Sequence, residues 1–162
     1  MQKIVVPFFL FIGFCVFAAC GKGSDNTGSV SCTGLEPAVD SPALLNFAKA
    51  HGIGPLKDTA GLYYQVVSQG TGAAPTLSST IFVTYTATLM DSTIFDSTTN
   101  AAKTGFKLGG LITGWQMVLP KIQTGGRIKM LIPSKYAYGC LGSGIVPPNT
   151  PLFFDVTLVS IQ

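Results

Sequence analysis

Apolar and polar positions alternate with a period of two in two runs of this chain. In TIFVTYTATL, Ile81, Val83, Tyr85, Ala87 and Leu89 fall on one face and Thr84, Thr86 and Thr88 on the other, which predicts a strand with one buried and one wet side. RIKMLIP repeats the pattern with Ile128, Met130 and Ile132 together, and LFFDVTLVSI reads as a last, more uniformly apolar strand. LYYQVVS is a further strand from its β-branched and aromatic content, followed by a GTGAAP loop. The stretch 91–103, DSTIFDSTTNAAK, is polar around Ile94, Phe95 and Asp96, and reads as a loop or edge carrying one hydrophobic plug.

Helical spacing occurs twice. Asp40 or Ser41 is placed to cap a short helix with Pro42 in its first turn, and Leu44, Leu45, Phe47 and Ala48 share a broad face before His51 and Gly52 end it. Such a face packs either on the domain or on a second copy. His51, the sole histidine, suits the helix C-terminus as a cap compatible with the dipole. Further on, Thr113 or Gly114 can open a short helix through Met117, Val118 and Ile122, limited by Pro120 and ended by a Gly pair. Several strands around one such helix predict an α+β domain: a strongly curved antiparallel sheet whose concave face the helix covers.

The first residues follow a different logic. Lys3, the apolar run 4–17 and the small residues Ala18 and Ala19 before Cys20 have the layout of a secretion signal, and FAAC resembles a bacterial lipobox. That resemblance implies lipid modification of Cys20. From Gly21 the chain is Gly, Ser, Asn and Thr-rich, too poor in apolar residues to fold, so it reads as a tether reaching about 25 Å. The expected organisation is a signal at 1–19, a tether at 20–40, a short helix and linker at 41–58, and a domain at 59–162. Of the four cysteines, Cys32 and Cys140 would remain after Cys15 is removed and Cys20 modified. Export permits them to pair, and the spacing leaves paired and unpaired states open.

Composition narrows the function. The chain is 47% hydrophobic and only 10% charged, with a net charge of +3 spread thinly and no basic run, which argues against a nucleic-acid partner. The richest segment for chemistry is KYAYGCLGSGIVPPNTPLFFDVTL. It gathers Tyr136, Tyr138, Ile145, Val146 and Phe154 among glycines and prolines, without a nucleophile paired to a base and without a metal-ligating cluster. No cofactor or metal is expected. Such a lining suits a hydrophobic side chain, or a reaction that moves no proton. Asp155, inside an apolar strand, reads as a structural partner for backbone or a Lys.

From about residue 59 the chain resembles the FKBP-type peptidyl-prolyl cis/trans isomerases. The pieces VTYTATL, IFDS, FKLG, LITGW, GGRIKMLIP, YAYG and IVPPNTPLFFDVTL occur in that family's order. The tether, helix and GLYYQVV also look like lipoprotein versions from some Gram-negative bacteria. The resemblance implies a pocket in which Tyr85, Phe95, Asp96, Ile112 and Tyr138 act on the prolyl amide, while Phe106, Leu111, Trp115, Ile145 and Phe154 hold the substrate. Trp115 would be its floor, and Tyr85, Phe95, Phe106 and Phe154 its walls. Ile112 would offer its backbone N–H, and Tyr138 its hydroxyl. The chain departs from the animal archetype in three ways: an Arg partner for Asp96 is missing, Thr104 stands at an aromatic position, and the loop before LITGW is shorter.

The implied partners are proline-containing unfolded or exported polypeptides, with a membrane reached through Cys20 and a possible homodimer through the first helix. The implied location is the envelope, on the outer membrane, facing the periplasm or the outside. Two other readings use the same residues: a proline-peptide-binding chaperone that does not catalyse, and an envelope interaction module.

Overall fold

The computed structural model describes residues 34–58 and 60–162. The expected signal, Cys20 and most of the tether lie outside the described residues. Within them, one sheet has seven strands: β1 (Leu56–Lys57), β2 (Tyr63–Ser68), β3 (Thr80–Thr88), β4 (Ile94–Thr98), β5 (Phe106–Lys107), β6 (Arg127–Ile132) and β7 (Leu152–Ile161). The order is β1-β2-β6-β7-β3-β4, with β5 also paired to β3, and every pairing is antiparallel. Polar 91–98 is thus an edge strand and its turn.

Alternation decides what each face buries. Ile128, Met130 and Ile132 of β6 and Phe154, Val156 and Leu158 of β7 point to one side, where α2 (Thr113–Val118) supplies Trp115 and Val118. The intervening Leu131 and Phe153 point to the other side, where α1 (Pro37–Ala50) supplies Leu44, Phe47 and Ala48. The two helices therefore cover opposite faces of one sheet. Closeness at α2 depends on Gly114, since a Cβ there would stand 2.5 Å from Ile132 Cγ2.

α1 starts earlier than the sequence reading placed it. Pro37 takes the first helical position, Glu36 precedes it without a side-chain cap, and Pro42 lies inside the helix. Neither Asp40 nor Ser41 caps: the Asp40 carboxylate is turned to Ser134, and Ser41 Oγ donates to Pro37 O at 3.3 Å. Residues 37–40, read as the end of the tether, are helical. At the other end His51 is the C-cap, its ring stacked 3.9 Å from Phe47, with Nδ1 2.9 Å from Phe47 O.

Asp155 is a structural partner as expected, but for Arg127 across β6 and β7: Nε and Nη2 each donate at 2.8 Å. Cys140 is disulfide-bonded. The other three cysteines all fall outside the described residues.

Candidate functional site

A cavity of about 130 Å³ opens between α2 and the sheet. It approaches the roughly 150 Å³ apolar cavity that takes a benzene ring, so it suits a single ring-sized group. Tyr85 enters from β3, Asp96 from β4, Phe106 from β5, Leu111 and Ile112 from the segment before α2, Trp115 from α2, Tyr138 from the loop after β6, and Phe154 from β7. Eight of the ten residues inferred for the pocket thus bound one space. The other two do not. Phe95 packs edge-on against Phe154 with centroids 5.9 Å apart, and Ile145 stands 64% exposed on the 139–146 turn.

Trp115, 3% exposed, meets Tyr85 and Phe154 edge-to-face at 5.5 and 5.4 Å. This is the favoured geometry for ring quadrupoles, and it leaves a rigid apolar floor. Trp115 Nε1 is buried with no hydrogen-bond partner among the described residues. The segment before α2 is held by Gln116, whose Nε2 donates to Leu111 O at 2.7 Å. Ile112 N–H donates to no group among the described residues, while Ile112 O receives Trp115 N at 3.0 Å.

Only a few polar groups reach the cavity. The Tyr85 hydroxyl donates to Asp96 Oδ2 at 2.5 Å, which supplies the partner that the absent Arg left open. The geometry follows from register: Ala87 pairs with Asp96 and Tyr85 with Thr98, so Tyr85 and Asp96 are diagonal neighbours on one face. Burial, then the hydrogen bond to Asp96 and its negative charge, push the Tyr85 phenol well above the ordinary range. Burial and the charge of Asp96 also raise Tyr138. Both hydroxyls remain protonated, hence donors, at neutral pH.

Sequence reasoning did not foresee the part played by Thr104. β4 pairs with residues 85–88 of β3 and β5 with residues 80–81, leaving a gap between them. Thr104 fills it: its hydroxyl accepts from Val83 N at 2.9 Å and donates to Ala101 O at 2.7 Å. A Thr in a polar loop carries no local sign of that task. The bond from Gln116, the bonds of Ser134 and the close approach of Gly114 to Ile132 likewise leave no local sign in the sequence. Among the described residues there is no group of three His, Cys, Asp or Glu able to hold a metal ion.

A curved antiparallel sheet around one short helix, with an aromatic cavity between them, defines a class, and comparison with known proteins agrees with it. The model of the FKBP-type peptidyl-prolyl cis-trans isomerase family matches residues 72–159, more than half of the chain. The chain belongs to that family. FkpA of Escherichia coli K12, named an FKBP-type peptidyl-prolyl cis-trans isomerase, is 43% identical over 117 residues, covering 72% of this chain and 43% of its own. The outer membrane protein MIP of Legionella longbeachae is 38% identical over 105 residues, covering 64% of this chain and 45% of its own. The crystal structure of FkpA from E. coli superposes with a TM-score of 0.67 at 39% identity, covering 78% of this chain and 59% of that one. The chain thus spans less than half the length of these curated relatives.

Proposed function

We propose that this protein is a peptidyl-prolyl cis/trans isomerase that assists the folding of exported polypeptides. The observation that carries the reading is the cavity itself: aromatic, ring-sized, and furnished with hydrogen-bond donors instead of a proton-transfer pair. Rotation about the prolyl amide meets a barrier of about 18–20 kcal/mol, because resonance keeps the bond planar and dipolar. Twisting the bond reduces that dipole. A dry aromatic cavity therefore favours the twisted state over the planar one, substituting fixed protein groups for water. Ile112 N–H and the Tyr138 hydroxyl would hold the substrate carbonyl in the twisted geometry, and Tyr85 would keep Asp96 oriented at the wall.

Phe95 would steady the wall through its edge-on contact with Phe154, and Ile145, exposed at the lip, would meet the residues flanking the proline. Cys20 would carry the lipid that tethers the domain to the envelope, a location supported by the likeness to the outer membrane protein MIP of Legionella longbeachae. No helix among the described residues is long and apolar enough to cross a membrane. α1 commits Leu44, Phe47 and Ala48 to its own sheet, so a homodimer through α1 would rest on the exposed Val39 and Leu45.

The test is refolding of a protein whose slow phase is limited by prolyl isomerisation. Acceleration by catalytic amounts of the mature chain is expected. A slow phase left unchanged, with proline peptides still bound, would establish a binding chaperone instead. Metabolic labelling with a fatty acid checks the anchor, and Cys20→Ser should abolish it.

A further inference from the structure

Ser134 opens the turn that leads from β6 to the cavity lip, and every polar atom it has is engaged. Its backbone N–H and its hydroxyl each donate to Asp40 Oδ2 at 2.7 Å. Its carbonyl accepts Ala137 N at 3.0 Å and Gly139 N at 2.8 Å, the residues on either side of Tyr138. Ser134 is 0% exposed and Asp40 5%. A carboxylate of α1, outside the matched family segment, is therefore joined by two successive hydrogen bonds to the backbone that presents Tyr138.

Docking α1 does not require this group. Leu44, Phe47 and Ala48 already bury against Tyr63 and Leu131, and burying a carboxylate carries a desolvation penalty that an apolar residue avoids. The exposed Lys135–Glu36 pair, at 3.0 Å, adds little. What Asp40 contributes instead is a fixed orientation for the turn at 134–139.

We propose that Asp40 is a positioning residue for the isomerase reaction: through Ser134 it sets the turn that aims the Tyr138 hydroxyl at the cavity. The inference rests on the isomerase reading above, and its test separates the two. In the full chain, Asp40→Ala should lower kcat/KM roughly tenfold, chiefly through kcat, because a donor needed at the transition state is misplaced. In a Tyr138→Phe background the same change should cost no more than about twofold, since the group it positions is already gone. Asp40→Asn keeps an acceptor oxygen and should recover most of the loss.

Hydrogen exchange gives a readout independent of activity. The Ala137 and Gly139 amides should exchange faster in Asp40→Ala, while those of β7 stay protected. Should Asp40→Ala fail to fold, Ser134→Ala removes only the hydroxyl bond and is judged the same way. Equal losses with and without Tyr138, or unchanged exchange at Ala137 and Gly139, would overturn the proposal. A wild-type chain without isomerase activity would sink the isomerase reading alone, and the exchange result would still decide the link from Asp40 to the turn.

Discussion

Tyr85 and Asp96 are joined across β3 and β4 by a 2.5 Å hydrogen bond in which the phenol donates. The partner of Asp96 is a neighbour in the sheet, so the orientation of its carboxylate comes from strand register. Asp96→Ala should lower kcat/KM by roughly 5- to 100-fold, because the cavity wall loses the charged group that Tyr85 holds in place. Steady-state kinetics on a proline peptide measure it. Thermal stability should change little, because the pair lies on the exposed side of the cavity.

The same relationship sets an alkaline limit. The folded Tyr85 and Tyr138 hold their protons to higher pH than they do in the unfolded chain. Their contribution to stability is complete below the ordinary phenol value of 10.0 and is lost as pH rises through the raised folded values. Denaturant midpoints should therefore fall on going above about pH 10. Asp96→Asn should move the phenolate absorbance of Tyr85 only part of the way back, since burial is the larger cause.

Thr104→Val would leave the buried Val83 N–H without its acceptor. Removing one partner of a buried bond costs about 1–3 kcal/mol. A urea titration should show a loss of that size, and Thr104→Ser should restore it.

Trp115→Ala removes the cavity floor and the ring that Tyr85 and Phe154 pack against. A destabilisation of about 3–5 kcal/mol is expected. Gly114→Ala acts differently: its methyl group meets Ile132, and the overpacking should cost about 1–3 kcal/mol while displacing Ile112 and Trp115 from the cavity. A raised KM alongside the lower melting temperature would distinguish that displacement from simple destabilisation.

Residues 80–89 and 127–132 declared themselves as strands because period-two alternation survives whatever the sheet does with them. The aromatic cavity was legible through the family resemblance: VTYTATL, FKLG, LITGW and the last strand carry Tyr85, Phe106, Trp115 and Phe154 in the family's order. α1 was misplaced at its start because Pro37 and Pro42 each suit a first helical turn, and the chain uses the earlier one, with Pro42 inside the helix. Thr104 and Ser134 could not be read locally, since their partners lie in distant strands and helices. Phe95 and Ile145 have the right residue types, yet the path of β4 and of the 139–146 turn sets them outside the cavity boundary.

The most direct measurement is exchange NMR on a proline peptide at equilibrium, where cis and trans signals are separately resolved. Uncatalysed exchange takes tens to hundreds of seconds, and substoichiometric protein should raise it on the order of a thousandfold, an effect lost in Tyr138→Phe combined with Asp96→Ala. A peptide that binds the cavity while its two isomers interconvert no faster than in buffer would contradict the account.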